Sequence, residues 1–344
     1  MNAASFAPGS SGPPGLEKLP LVSCRKLLDR EPARIRRVSP SSQPAFYAVK
    51  DVLCLGQLSQ ALLPLDGAGH PAGLLEESWS YGIDDFPAIT RKSLALGPSD
   101  GHLVLEEAAP LCFIYTCNFW HWLFEGLARV AVLESLGFRG QYIIPPDSHA
   151  LETMLLLRIP RDRLLVGLRP FFIKRLLVSA HLPPDKFSPG TLAALHSLRS
   201  RLLAHLPRAA GSKRCYIRRL GKRKVSNEKE LIAMLEPMGF EIMTPEAQPH
   251  APAELLYMSN AECSVMPHGA NCALAFAQPR DAHFFELFGM AYVNNCNGPM
   301  VKTAGLHYHQ LVEKTGDLSA AAAEADFAVD VDFLRYCLRR ALQG

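Results

Sequence analysis

The sequence predicts an alternating α/β fold arranged in two units. Three observations carry that expectation. From residue 111 onward, short apolar runs alternate with segments of helical period. The 344 residues include 27 prolines and 24 glycines, too many breaks for a bundle of long helices. At roughly 150 residues per domain, the length suits about two domains. With 48% hydrophobic and 20% charged residues, the chain has enough apolar side chains for substantial cores. That excludes wholesale disorder and a small disulfide-stapled scaffold.

Residues 1–18 are dominated by Pro, Gly and Ser and read as a flexible tail. They lack the basic start and apolar stretch of a signal peptide. Between 19 and 110 the pattern is weak. Two strands are expected there, Phe46–Cys54 and Leu103–Glu106, with loops and short pairings between them. Leu111–Thr116 is apolar and reads as a strand. Trp120, Phe124, Leu127, Val130 and Leu133 then recur at three- and four-residue spacing, which predicts a helix ended by Gly137. Gln141–Ile144 reads as a strand and His149–Leu157 as a helix. Arg163–Leu168 and Phe171–Val178 read as strands, and Leu192–Leu206 as a helix. This βαβα rhythm predicts a parallel sheet covered on both faces.

Pro207–Gly211 reads as a linker, after which the rhythm restarts. Arg214–Arg218 is a strand, Asn227–Met238 a helix capped by Ser226, and Phe240–Met243 a strand. Ala253–Asn260 is a short helix, Cys263–Met266 a short strand, and Ala270–Ala277 a helical turn or two. His283–Phe288 is the next strand, and Asp330–Leu342 a terminal helix. The expected organisation is an N-terminal α/β unit over 19–207, a second α/β unit over 212–329, and a C-terminal helix over 330–344.

The bulk numbers bear on location and partners. Nine cysteines are scattered, with no CxxC spacing, and several lie in apolar runs. That suits a reducing compartment without a disulfide framework. No run of about 18 apolar residues occurs, so a soluble cytoplasmic protein is expected, with peripheral membrane contact left open. The net charge is only +3, yet Lys213, Arg214, Arg218, Arg219, Lys222, Arg223 and Lys224 fall within twelve residues that hold no acid. Such a run attracts phosphate, whether of a nucleic acid or of a small nucleotide.

Four places carry residues suited to chemistry. His121 and Glu125 lie four apart on one helix face, just beyond an apolar strand, where open α/β sheets bind ligands. They suit an acid–base pair, or a structural contact. In Tyr216–Glu228 a strand runs into a basic loop and then into a helix, an arrangement that favours a phosphate over the helix start. Neither a P-loop nor a GxGxxG fingerprint is present. In Met266-Pro-His-Gly-Ala-Asn271 a strand ends in a turn that opens a short helix. There Gly269 permits close backbone approach, and His268 stands beside the helix start. Glu286 lies inside an aromatic strand, where an unpaired charge is expensive. It suits either hydrogen bonds to ribose hydroxyls or an edge facing water. A metal reading is poor, because HxxxE lacks a nearby third ligand and is not HExxH. The later pair His307 and His309 alternates as on a strand and is the other metal candidate.

Taken in order, these pieces resemble glycosyltransferase family 61, which includes bacterial capsular-polysaccharide enzymes and eukaryotic xylosyl- and N-acetylglucosaminyltransferases. Asn118-Phe-Trp-His-Trp-Leu-Phe-Glu125 is similar to its "HW…E" helix. Tyr216-Ile-Arg-Arg219, Arg223 and Asn227-Glu228 are similar to its "isRr…R…Ne" segment. Pro267-His-Gly-Ala-Asn271 with Phe276 and Glu286-Leu287 is similar to its "pHGA…lF…vEl" segment. The resemblance spans about 110–315. It implies a GT-B architecture of two Rossmann-like domains facing across a cleft, with a terminal helix packing back across them. It also implies inverting transfer of a sugar from a nucleotide diphosphate sugar to a hydroxyl of a glycan or glycoconjugate, without a metal or other cofactor. Arg218, Arg219, Lys222 or Arg223 and the Gly269 turn (His268 to Asn271, through Ala270) would neutralise the diphosphate. Asn227 would fix the basic loop or touch the donor, and Asn118 near the helix start would bind substrate or donor. Glu286 would hold ribose, and His121 with Glu125 would supply the base. One departure stands out: the family commonly has a small residue where this chain has Asn271. A nucleic-acid-binding protein and a noncatalytic scaffold of the same fold are the rival readings. The confinement of the cations to one loop, without a recognition helix or zinc motif, speaks against the first.

Overall fold

The computed structural model describes residues 21–22, 26, 29–30, 35–41, 45–54, 61–64, 71–75, 103–111, 118–166, 171–179, 189–206, 213–245, 250–313 and 324–343. The expected tail over 1–18, most of the 111–116 strand, and the linker over 207–211 lie outside these residues.

The first sheet holds β1 (Leu21–Val22), β2 (Ile35–Arg37), β3 (Phe46–Cys54), β4 (Ala61–Pro64), β5 (Pro71–Leu75), β6 (Leu103–Pro110), β7 (Gln141–Ile144), β8 (Leu164–Val166) and β9 (Phe171–Ser179). Their order is β1-β5-β4-β3-β9-β6-β7-β8, with β2 beside β3. The β9-β6-β7-β8 half is parallel, as the rhythm predicts. The other half is not. β3 runs antiparallel to β9 over its whole length and antiparallel to β2 and β4. The sheet is therefore mixed, which corrects the expected parallel one. Period-two apolar patterning specifies which face is buried but says nothing about strand direction.

Helix α1 is continuous but built in three segments: Phe119–His121, a π-helical Trp122–Leu127, and Ala128–Ser135, ended at Gly137. Asn118 caps it, its side chain accepting from the Trp120 amide at 3.0 Å. The π segment coincides with a close approach. A Cβ at residue 126 would lie 2.7 Å from the Trp122 ring, so the absence of a side chain at Gly126 makes room for the indole. That indole donates to the Thr153 hydroxyl of α2 (Ser148–Leu156) at 2.7 Å. Single π turns of this kind recur at functional sites. Helix α3 (Pro189–Ala204) completes the first half.

The second sheet is wholly parallel. It comprises β10 (Lys213–Ile217), β11 (Phe240–Met243), β12 (Ala261–Pro267), β13 (His283–Gly289) and β14 (His307–Glu313) in the order β11-β10-β12-β13-β14. Strand order reverses between β10 and β12, which is where such sheets place ligands, beyond the carboxyl ends. The connections are α4 (Glu228–Leu235), α5 (Ala251–Met258), a 3-10 helix over Ala270–Ala277, and α6 (Gly298–Ala304). Helix α7 (Val331–Gln343) packs through Leu334 and Leu338 into the same apolar cluster as Leu231 and Leu235 of α4. It thus lies on its own sheet, with Ala341 and Leu342 of its last turn lining a cavity together with Arg199 and Leu203 of α3. Its exposed face carries Arg339 and Arg340, and its apolar stripe matches α4.

The halves meet through apolar side chains. One buried cluster joins Trp122, Phe124, Leu127, Leu195 and Leu198 of the first half to Met258, Leu274, Phe276 and Met300 of the second. The Phe124 and Phe276 rings meet edge to face at 5.3 Å. The last turn of the 3-10 helix is thereby packed against α1. At the same end Arg199 of α3 donates to the carbonyls of Phe276 and Gln278.

Candidate functional site

The carboxyl ends of β10 and β12 come together in one contact. Arg219, two residues past β10, donates from Nη1 to the carbonyl of His268 at 2.9 Å, and from Nε to the carbonyl of Lys222. Its guanidinium occupies the space where a Cβ at residue 269 would stand, so a larger residue there would displace it. The Gly269 backbone is extended (φ 167°), so close approach rather than an unusual dihedral explains the residue. Ala270 and Asn271 follow in the first turn of the 3-10 helix, both half-buried.

His268 is nearly buried. Its Nδ1 lies 2.5 Å from Oε1 of Glu286, and its ring stacks on Phe288 at 4.8 Å. A carboxylate only accepts, so this contact keeps the proton on Nδ1 and leaves Nε2 as the ring's other polar atom. Glu286 is fully buried in β13, which lies between β12 and β14 and is not an edge. It also accepts from Nδ2 of Asn297 at 2.7 Å and from the Tyr308 hydroxyl. Three donors on one buried carboxylate offset its desolvation. The ribose-holding role expected for Glu286 does not match this geometry, because the carboxylate faces protein donors and not an open strand end. Burial, with Glu286 alongside, pushes the Tyr308 phenol well up, so it stays a donor.

The basic run is less naked than its sequence. Arg218 donates twice to Oε2 of Glu228, at 3.1 and 2.5 Å, and Tyr216 donates to the same carboxylate. Lys213 pairs with Glu241, Arg214 with Glu262, Lys222 with Glu324, and Lys224 with Asp326. Five of the seven cations thus face carboxylates from elsewhere in the chain. Arg218, expected on the diphosphate, is committed to Glu228. Arg223 differs. Its guanidinium lies 4.5 Å over the ring of Tyr292, which itself tilts against His268 at 5.4 Å. Its Nε is buried with no hydrogen-bond partner among the described residues. A buried donor without an acceptor is costly, and a guanidinium donor suits an anionic ligand. The carboxylate of Glu324 sits in the field of Lys222, Arg223 and Arg219, and the Lys222 contact holds it below its usual range.

Asn227 stands at the N-cap position of α4, one residue beyond the expected Ser226, but it does not cap the helix. Its amide grips the Val329 backbone at both ends, accepting from the N–H and donating to the carbonyl at 2.9 Å each. It therefore fixes the 327–329 segment to the basic loop. Asn118 is likewise accounted for locally, as the cap of α1.

On the other side stands α1. Nδ1 of His121 lies 2.9 Å from Oε1 of Glu125, with the carboxylate buried and the imidazole partly exposed. The Trp120 indole meets the His121 ring edge to face at 5.2 Å. It also donates to Oδ1 of Asn297 at 2.7 Å. The structure thus brings the element of His121 together with the Glu286–His268 pair through Asn297, a residue for which the sequence offered no signal. His307 and His309 do not join this site. They stack with His283 at the amino ends of β13 and β14, and burial together with neighbouring imidazoles lowers His309 to about 4. Among the described residues no group of three His, Cys, Asp or Glu is arranged to hold a metal ion. Among the described cysteines, Cys215, Cys263, Cys272, Cys296 and Cys337 are thiols outside any disulfide, and no described helix is long and apolar enough to cross a membrane. A cavity of about 750 Å³, lined by Arg199, Asn260 and Arg280, lies at those same amino ends, away from His268.

Residues 119–284 match the family model described as Glycosyltransferase 61. The match covers α1 with His121 and Glu125, the basic loop, and the His268-Gly269 turn. Glu286, Asn297 and Tyr308 lie beyond it. No curated protein matches the chain.

Proposed function

We propose, from the glycosyltransferase 61 domain at residues 119–284, that this protein transfers a sugar from a nucleotide diphosphate sugar to a hydroxyl of a glycan or glycoconjugate, with inversion. The two sheets would act as the halves of a GT-B enzyme, divided near 207–212, with the donor on the second sheet and the acceptor on the first. The observation that carries the donor end is the buried Nε of Arg223, which has no hydrogen-bond partner among the described residues and stands over Tyr292, whose ring in turn meets His268. It lies at the switch point of a parallel sheet, where Arg219 already reaches over Gly269. The diphosphate would bind Arg219, Arg223 and the first amides of the 3-10 helix, near Ala270 and Asn271. Lys222 would turn from Glu324 to the ligand. Arg218 and Asn227 would hold the loop in place. Glu286 would hold the His268 ring.

In the reaction the acceptor oxygen bonds to the anomeric carbon while the bond from that carbon to the β-phosphate oxygen breaks. The acceptor proton passes to Nε2 of His121, whose Nδ1 is held by Glu125. The negative charge of the leaving diphosphate falls to the arginines. No resident cofactor or metal enters this reading. A cytoplasmic setting, including the inner face of a membrane and polysaccharide assembly such as capsule synthesis, suits the donor class. Nucleic-acid binding is disfavoured, because five of the seven cations are already paired with carboxylates.

The test is a hydrolysis and thermal-shift screen against a panel of nucleotide sugars. Release of a nucleoside diphosphate by the wild-type protein, lost in Arg223→Met, supports the reading. No release and no shift with any donor would overturn it.

A further inference from the structure

Asn297 is buried with no exposed surface, and each of its two polar atoms meets one partner at 2.7 Å. The chemistry assigns its orientation. The Trp120 indole N–H can only donate, so it faces Oδ1. The Glu286 carboxylate can only accept, so it faces Nδ2. Asn297 also occupies the N-cap position of α6, where an asparagine side chain ordinarily bonds the first helix amides. Here it makes no such bond. The side chain is turned away from its local role to join a helix 177 positions away in sequence on one side and a strand on the other.

We infer that Asn297 is a positioning residue for sugar transfer. It locks Glu286, and through it the tautomer and plane of His268, to the helix that carries His121. This rests on the transfer reading above and goes beyond it, since Asn297 falls outside the matched segment. The catalytic base and the donor site lie on different sheets, and two hydrogen bonds through one rigid amide fix their relative geometry. A displacement of about an ångström between reacting groups costs roughly a hundredfold in rate. The titratable neighbours of Glu286 are His268, Tyr308, Cys272 and Cys296. Both thiols are pushed up, Cys296 to about 12, chiefly by burial, so they stay neutral and the bridge carries a single carboxylate.

The test uses the full chain with Asn297→Ala and Asn297→Asp. While protonated, the introduced carboxyl reproduces the amide, accepting from Trp120 and donating to Glu286. Once ionised, it sets two carboxylates against each other, which favours its own protonation. Asn297→Asp is therefore expected to approach wild-type kcat/KM at low pH and to fall by about tenfold per pH unit once the new carboxyl ionises. Asn297→Ala is expected to lose roughly thirtyfold or more at every pH, on the hundredfold scale of misplacement. An activity-independent readout is the His268 tautomer, observed by NMR of histidine-labelled protein and assigned with His268→Gln. Wild type should hold the Nδ1–H form and Asn297→Ala a mixture. An Asn297→Asp profile parallel to wild type, or one unchanged His268 tautomer in Asn297→Ala, would overturn the inference. If wild type transfers no sugar at all, the transfer reading fails while the tautomer measurement still decides the bridge.

Discussion

The guanidinium of Arg219 lies over the Cα of Gly269, in the volume a Cβ there would take, and donates to the neighbouring carbonyl of His268. The conflict with a larger residue falls on the far end of a flexible side chain, and the extended backbone at 269 accepts any residue. Gly269→Ala should therefore leave stability within about 1 kcal/mol of wild type. It should displace Arg219 and weaken nucleoside diphosphate binding by about 1.5–3 kcal/mol, roughly tenfold or more in Kd. Calorimetric titration beside thermal melting separates the two effects. An unchanged Kd would remove Arg219 from the donor site.

Glu324 pairs with Lys222 of the basic loop, in the field of Arg219 and Arg223. A diphosphate bound as proposed would displace it. Glu324→Gln should tighten nucleoside diphosphate binding by roughly a few-fold at low salt, with the gain shrinking as salt screens the exposed charges. Weaker binding in the variant would mean that Glu324 organises the loop instead of competing with the ligand.

The His121–Glu125 pair should affect chemistry and not donor affinity. General-base groups contribute about 10²–10⁴ in rate, so His121→Ala should lower kcat on that scale. Glu125→Gln should lower it less, since a neutral amide still orients the imidazole. Nucleoside diphosphate Kd should be unchanged in both. Near-normal turnover in folded His121→Ala would place the base elsewhere.

Asn227 holds the Val329 backbone through two hydrogen bonds of 2.9 Å. Asn227→Ala should cost about 1–3 kcal/mol of stability by the net worth of two such bonds. Chemical denaturation measures this directly. A stability loss accompanied by a much larger loss of nucleotide affinity would restore the donor-contacting role the sequence suggested for Asn227.

Burial pushes Tyr142 and Tyr216 well above the ordinary tyrosine value of about 10. Each folded phenol keeps its proton at a pH where the unfolded one has lost it. The folded state then binds more protons, so stability is full below about pH 10 and is lost as pH rises beyond it. The slope approaches about 1.4 kcal/mol per pH unit for each such tyrosine. Tyrosinate absorbance should appear together with loss of helical circular dichroism in one alkaline transition. Ionisation of all tyrosines ahead of unfolding would contradict it.

Much of the architecture was legible in the chain. The apolar spacing of Trp120, Phe124, Leu127 and Val130 defines α1, and the strand–turn–helix pattern around His268 and around Tyr216 places both at strand ends. The i, i+4 relation of His121 and Glu125 follows from helical geometry alone. These are local facts, and local periodicity encodes them. Strand direction was not legible, and the antiparallel pairing of β3 with β9 emerges only in the assembled sheet. Nor was the π turn around Glu125, which depends on the Trp122 indole finding both Gly126 and Thr153.

By itself the sequence determined the candidate groups: a histidine and a glutamate on one helix face, a cationic loop, and a glycine turn opening a helix. Tertiary structure decided which of them are available. It brought Glu228, Glu324 and Asp326 onto cations that have no acid near them in their own run, and it left Arg223 with a buried donor and no acceptor among the described residues. It also enclosed Glu286 among three donors and set Asn297 between that carboxylate and Trp120. The reason is that propensity and periodicity act over a few residues. Charge neutralisation and the satisfaction of buried polar atoms are settled only among groups that folding brings within hydrogen-bonding distance.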